Sequence, residues 1–341
     1  MKDAASATAK RPLPETFRVA GGCKPGVYVR PDSPLAERVL PNIEGIRSWA
    51  EWYTCPSSLG MVNGHVHTIL ASQLRKTSNV CYARSLLPTD DGGTLAFDML
   101  KSVLPEGAGV DACQFLEDDG STLSSAADAD KDFLLLCAGL GGGSDDSYVR
   151  SMGAAALLSG KWQVGVVNMR SCGKAPVTSP RFFSAFRGAT DDVRVAVTHI
   201  RKHLGPDTKV AVVGWSNGAT ILNNFLAEQA STHKSGRASH GADAGVTLAC
   251  PLNMPLASGN LKRWFHRNVY DRAIARSLSD KIAEWKHLFQ DANGNIKPVS
   301  AWEGLGEGKT FLADDHVFSG RRRHSQNPAF YSIFYQHVAG S

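Results

Sequence analysis

A serine that attacks an acyl carbonyl needs a tight turn to hold it and N–H groups to receive the oxyanion. Gly214-Trp215-Ser216-Asn217-Gly218 has the G-x-S-x-G spacing of such a turn. Val210 to Val213, just before it, is a short β-branched run of the kind a fully buried strand shows. Behind it Ile221, Leu222, Phe225 and Leu226 recur at helical intervals with no breaker. Strand, five-residue turn and helix together describe a nucleophile elbow, with Ser216 as the candidate nucleophile. Glycine suits positions 214 and 218, where a side chain would meet neighbouring backbone. The helix that starts behind Ser216 would turn its N-terminal N–H groups and dipole toward an oxyanion formed there.

A second stretch offers the complementary chemistry. Phe133-Leu-Leu-Leu-Cys-Ala138 is an apolar strand that runs directly into Gly139-Leu-Gly-Gly-Gly-Ser144. A glycine-rich loop after a strand also suits a phosphate, but G-x-G-x-x-G fails at Ser144 and no G-K-[ST] follows. An oxyanion loop agrees with Ser216: the N–H of Leu140 would meet the N–H of Asn217. His65-x-His67 would point two rings the same way from a strand, as metal ligands do. No matching carboxylate or third histidine motif accompanies the pair, so packing or a substrate-side role is expected, and neither metal nor cofactor.

Several elements must position these residues. Tyr82–Leu87, the turn Asp90–Gly93 and Thr94–Leu100 read as a hairpin. Pro105 to Asp130 is acidic, Ser/Ala-rich and aperiodic, and reads as an expanded loop. Helix Tyr148–Ser159, strand Gln163–Asn168 and helix Thr190–His203 follow. With the elbow they alternate β-α-β-α-β-α, which predicts a mostly parallel central sheet with helices on both faces. Gln229–Gly245 reads as a polar surface loop, and Val246–Cys250 as a further sheet strand. Leu261–Phe289 is helical and aromatic-rich, either a lid over the site or an extra core helix. Residues 1–35 carry frequent Pro and Gly, and Leu40–Tyr53 has apolar residues near helical spacing. The organisation expected is therefore an N-terminal extension with an amphipathic helix over 1–56, an α/β core over 57–256 and a helical lid or cap over 257–341.

The bulk numbers narrow the class. A chain of 341 residues with 43% apolar and 20% charged content can bury a large core. The formal net charge is +5, with basic clusters at Lys262-Arg263/His266-Arg267 and Arg321-Arg322-Arg323. Two readings stand for these clusters, a solvated face or contact with an anionic membrane surface; no motif points to nucleic acid. The seven cysteines are scattered without C-x-x-C, Cys137 and Cys250 fall in apolar runs, and the pattern fits free thiols in a reducing compartment. Met1–Pro12 lacks the apolar core of a secretory signal, and no run reaches the roughly 20 apolar residues of a membrane span. A cytoplasmic protein, or one peripheral on an intracellular membrane, is expected.

Several multi-residue motifs occur together and in order. They are Asn63-Gly-His-x-x-Thr-Ile, Gly139-Leu-x-Gly-Gly-Ser144 with Ser147-Tyr-Val-Arg150, Asn168-Met-Arg-Ser-Cys-Gly-x-x-Pro176, Thr178-Ser-Pro-Arg181 with Ser184-Ala185, Asp191-Asp192 with His199-Ile-Arg201, and Gly214–Gly218. From about residue 57 onward the chain resembles the abhydrolase-domain one/three subfamily of α/β-hydrolases. That subfamily includes embryogenesis-associated plant proteins and YheT-type esterases. The resemblance implies the α/β-hydrolase fold with a helical lid insertion and a serine ester hydrolase acting on lipid or medium-chain acyl esters. It implies Ser216 as nucleophile and Leu140 and Asn217 as oxyanion donors. An acyl-CoA-dependent ester-forming acyltransferase is the alternative, as is a non-catalytic relative. Two positions depart from the pattern: Ala138 stands where histidine is frequent, and Asn217 where the subfamily has leucine.

The acid and histidine of such a triad are expected downstream of the nucleophile, in the order Ser, Asp/Glu, His. The candidates there are Asp314 or Asp315 with His316, His324 or His337. Too few residues follow Asp315 for two further β-α units, which need roughly 60. The resemblance places 310–341 in the lid. The expectation is thus that the C-terminal strands and part of the triad are missing, and that the sheet ends on the Val246–Cys250 strand with an apolar edge.

Overall fold

The computed structural model describes residues 77–105, 113–117, 123, 130–179, 183, 189–204, 207–232, 241–252 and 254–274, together with 65, 66 and 68–70. The Leu40–Tyr53 segment and the acid and histidine candidates from Asp314 to His337 lie outside the described residues.

The hairpin forms from β1 (Asn79–Pro88) and β2 (Thr94–Leu104), antiparallel from Pro88↔Thr94 to Asn79↔Leu104. Its turn closes where the Thr89 N–H donates to the Gly93 carbonyl at 2.9 Å. Then come β3 (Cys113–Glu117), β4 (Asp132–Cys137), α1 (Ser147–Leu158), β5 (Trp162–Asn168) and α2 (Thr190–His203). They are followed by β6 (Val210–Trp215), α3 (Asn217–Thr232), β7 (Ala244–Leu248) and α4 (Met254–Leu261). A last helical stretch begins with α5 (Trp264–His266) and continues into a π-helical turn (Arg267–Asp271).

The seven strands make one sheet in the order β3-β1-β2-β5-β4-β6-β7. Only the β1/β2 and β2/β5 pairings are antiparallel. Strand β4 sits at the centre and shows why the sheet is two-sided. Phe133, Leu135 and Cys137 face one layer, where Val193, Ala196, Val197 and Ile200 of α2 and Ile221, Leu222 and Phe225 of α3 pack on them. Leu134 and Leu136 face the other, against Val149, Ala154 and Ala156 of α1. With a side-chain period of two, a strand covered on both faces must be apolar throughout.

The expected α/β sandwich with helices on both faces is therefore present, with corrections at three places. The segment expected to be loop from Pro105 to Asp130 contains β3, an edge strand that pairs parallel with β1 from Val80↔Cys113 to Arg84↔Glu117. Five partly exposed residues with a charge at the end carry too weak a pattern to announce a strand; the pairing comes from the neighbour. The polar segment from Gln229 is shorter than expected. Helix α3 runs to Thr232, and the Gln229 side chain grips Ala242 at both its N–H (2.9 Å) and its carbonyl (2.8 Å). Strand β7 lies two residues earlier than the apolar run, because Ala249 takes φ +51° and ends it. Cys250 is thus a half-buried residue after the strand, whereas Cys137 lies in β4 at 0% exposure. Among the described residues β7 is the last strand of the sheet, with Val246 half exposed.

The helical reading over 261–289 also shifts. Helix α4 starts at Met254, the chain breaks at Arg263, and helical backbone resumes from 264 to 274; residues 275–289 lie outside the described set. Among the described residues no helix is long and apolar enough to cross a membrane.

Candidate active site

Ser216 sits between β6 and α3 with φ +49°, a left-handed backbone that L residues adopt at a cost of about 1–3 kcal/mol. The surroundings hold it there. A Cβ at Gly214 would come within 2.6 Å of the Gly218 carbonyl oxygen. One at Gly218 would overlap the Ala138 carbonyl oxygen and lie 2.5 Å from that of Cys137. The turn thus packs against the end of β4 backbone to backbone, which only glycine allows. The Ser216 N–H donates to the Leu248 carbonyl at the end of β7 (2.9 Å), and its own carbonyl accepts from the Thr220 N–H (3.0 Å). The Ser216 side chain remains exposed at the carboxyl edge of the sheet.

The glycine loop lies beside it. A Cβ on Gly139 would be 3.6 Å from that of Ser216. The loop is a tight turn in which the Gly142 N–H bonds the Gly139 carbonyl (3.0 Å) and Gly141 takes φ +68°. Tyr148, from the first turn of α1, clamps it. Its phenol oxygen accepts the Gly139 N–H (2.8 Å) and donates to Asp146 Oδ2 (2.9 Å), which also accepts the Gly143 N–H (3.2 Å). The Tyr148 ring meets Trp215, the residue before the serine, edge-on at 5.2 Å. Burial, with the Asp146 carboxylate beside it, holds the Tyr148 pKa well above the usual phenol range, so the phenol stays a proton donor. Among the described residues neither the Leu140 nor the Asn217 N–H donates to a protein acceptor.

The far end of the loop is tied to a buried polar network. The Ser144 hydroxyl donates to Asp98, and its N–H to Asn168 Oδ1 (2.9 Å). Asn168 Nδ2 donates to Asp98 Oδ2 (2.7 Å), and Tyr82 Oη to the Ser144 carbonyl (3.2 Å). Asp98, fully buried, is neutralised by Arg84 directly across the hairpin, through two hydrogen bonds of 2.7 Å each. Such a two-pronged guanidinium–carboxylate pair is strong and directional. The signal was present in the sequence as a carboxylate inside the apolar run Leu95–Leu100 and a guanidinium inside the facing strand. The loop after β5 is anchored by Arg170, which pairs with Asp192 (3.0 Å) and with Asp91 of the hairpin turn. Burial opposes the Arg170 charge, but the two carboxylates more than offset it.

Other candidates fall elsewhere. Residues 65, 66 and 68–70 are helical, so the strand geometry that would align His65 with His67 is not the local backbone; His67 itself is outside the described residues. Among the described residues no group of three or more His, Cys, Asp or Glu side chains is placed to hold a metal. A groove of about 550 Å³ lined by Arg84, Leu86, Phe115, Leu116, His199 and His203 includes none of Ser216, Leu140 and Asn217. No histidine among the described residues hydrogen-bonds Ser216.

With this geometry established, similarity to known proteins is informative. The profile of the alpha/beta hydrolase fold family matches residues 132–297, which take in the glycine loop and Ser216. The chain is similar to an embryogenesis-associated protein of Picea glauca, 33% identical over 70% of this chain and 48% of that protein. It is similar to the medium-chain fatty acid ethyl ester synthase/esterase 2 of Saccharomyces cerevisiae, 26% identical over 62% of this chain and 51% of that one. A monoacylglycerol lipase of the same yeast is 28% identical over 51% of this chain and 42% of its own length. The chain spans about half the length of these relatives. An esterase of Pyrococcus furiosus superposes with a TM-score of 0.37 at 15% identity, over 59% of this chain and 67% of that structure.

Proposed function

The chain is a member of the α/β-hydrolase superfamily, and from that premise we propose that it is a serine carboxylic-ester hydrolase acting on lipid or medium-chain acyl esters. The observation that carries the proposal is Ser216 itself, exposed at φ +49° between a buried strand and a helix N-terminus, with a clamped glycine loop at its side. In this reading Ser216 Oγ attacks the acyl carbonyl, and the Leu140 and Asn217 N–H groups receive the oxyanion. The alcohol leaves with a proton, an acyl-serine remains, and water then releases the acid and restores the serine. The first turn of α3 adds its dipole to the stabilisation. In this reading a histidine takes the serine proton as general base.

The substrate class is drawn from the relatives, two of which are named for fatty acid ethyl esters and monoacylglycerols. A second reading has the same support: the yeast relative named as both synthase and esterase favours transfer of the acyl group to an alcohol in place of water. Three measurements decide among these. A fluorophosphonate probe should label the active full-length protein, and Ser216→Ala should abolish labelling and reduce turnover on the order of 10⁶-fold. Adding ethanol to a medium-chain acyl-CoA or ester reaction should leave free acid as the main product if hydrolysis dominates, and ethyl ester if transfer does. A well-folded protein that the probe does not label would refute both in favour of a non-catalytic role, and a Ser216→Ala variant with more than a few per cent of its activity would end the assignment of Ser216 as nucleophile.

A further inference from the structure

We propose that the segment from Leu252 to Ile274 is a docking surface for an anionic lipid membrane. This goes beyond ester hydrolysis and does not depend on it. The segment leaves the sheet at the edge that carries Ser216, since β7 runs parallel to β6 and ends against Trp215. It is fastened at two points, the end of α4 and the end of the last helical stretch: Leu261 and Ile274 pack against the larger core cluster. The turn between α4 and α5 is closed by the Arg267 N–H on the Arg263 carbonyl (2.8 Å), by His266 Nδ1 against the Asn260 carbonyl (2.9 Å), and by Asn268 Nδ2 on the Trp264 carbonyl (2.7 Å).

The largest apolar side chains of a segment so anchored should point inward. Here Leu252 is 84% and Trp264 79% exposed, with Phe265 exposed beside it. Lys262, Arg263, Arg267 and Arg272 lie in the same stretch of sequence, which carries one carboxylate, Asp271. A large aromatic among cations is the pattern that lies in a lipid interface, with the ring at headgroup depth and the charges on lipid phosphates and carboxylates.

The charge also argues against the other occupants. A second copy of this face would bring the same four cations against each other. A phosphate polymer would engage the cations and leave Leu252 in water. A bilayer takes both.

The test is flotation of the full chain with phosphatidylcholine vesicles and with phosphatidylcholine–phosphatidylserine vesicles at about 7:3, in low and high salt. The expected result is strong preference for the anionic vesicles, reversed by salt. Lys262→Ala/Arg263→Ala should weaken binding about 25-fold, at about fivefold per charge. Trp264→Ala should weaken it about tenfold, as withdrawal of one large aromatic from the interface does. Both changes lie on exposed side chains, and circular dichroism of each variant should match the wild type. Ser216→Ala should bind vesicles as the wild type does, so loss of the catalytic assignment leaves this one standing. Equal binding to neutral and anionic vesicles, or unchanged binding in the Lys262/Arg263 variant, overturns the proposal. So does a Trp264→Ala change in sedimentation coefficient without vesicles, which would mark a self-association face. Equal affinity for a single-stranded oligonucleotide overturns it in favour of a phosphate-polymer site.

Discussion

The turn around Ser216 and the loop from Gly139 to Ser144 lie side by side, yet opposite kinds of interaction hold them. The turn is fixed by main chain: φ +49°, glycines at 214 and 218 pressed on backbone, and one hydrogen bond to the end of β7. The loop is fixed by side chains, through Tyr148 and Asp146 at one end and Asp98, Asn168, Arg84 and Tyr82 at the other. A backbone device tolerates almost any neighbouring side chain but no added Cβ. A side-chain device tolerates a backbone shift but not the loss of a buried partner. In the proposed mechanism each supplies one oxyanion donor, so the two can be perturbed separately.

The largest effect is expected at Asp98. Asp98→Ala would leave Arg84, Asn168 and the Ser144 hydroxyl without their common acceptor, and removing one partner of a buried pair costs about 3–5 kcal/mol. Arg84 retains some solvent contact, with its side chain 17% exposed, so about 3 kcal/mol is expected in chemical denaturation. The exposed pair Arg194–Asp191 is the control, and Asp191→Ala should stay within about 0.5 kcal/mol of wild type. Equal losses from the two variants would mean that the loop does not rely on its side-chain network.

Gly218→Ala tests the other half. The added methyl would overlap the Ala138 carbonyl oxygen, and neither strand end can move without breaking the sheet pairing. Overpacking of this kind destabilises by about 1–3 kcal/mol, and probe labelling of Ser216 should fall further than stability does. A variant that folds and labels normally would show that the turn is looser than its geometry implies.

Tyr148→Phe should give the smallest change and sharpen the comparison most. The ring would keep its contact with Trp215, while the Gly139 N–H and Asp146 would lose the phenol between them. About 1 kcal/mol of stability should be lost. Turnover should drop about tenfold with KM unchanged, less than the 10²–10³ of a deleted oxyanion donor. An unchanged kcat would remove Tyr148 from the set of positioning residues.

Much of the elbow was legible in the sequence because the pattern that announces it is local. The β-branched run before Ser216, the flanking glycines and the helical spacing behind it lie within about ten residues on either side. Holding that conformation falls to distant residues, the Leu248 carbonyl and the end of β4. The same holds for helix Thr190–His203, whose bounds match the sequence reading, with acids in its first turn and bases in its last. Leu140 and Asn217 are proposed as donors on equally local grounds, since each occupies a fixed offset from its strand.

What the tertiary structure decided lies at longer range. Strand β3 exists because β1 offers it an edge, and five half-exposed residues do not announce that by themselves. Asp98 and Arg84 are an ion pair only in the register that sets them opposite each other, although they are 14 residues apart in the chain. Asn168 reaches Ala96 across 72 residues. Tyr148 reads as an ordinary helix residue until α1 packs it on Trp215 and the Gly139 N–H. A residue pattern records what a side chain needs from its neighbours in sequence. Which distant partner meets that need depends on sheet order and register, and those are settled only when the whole core packs.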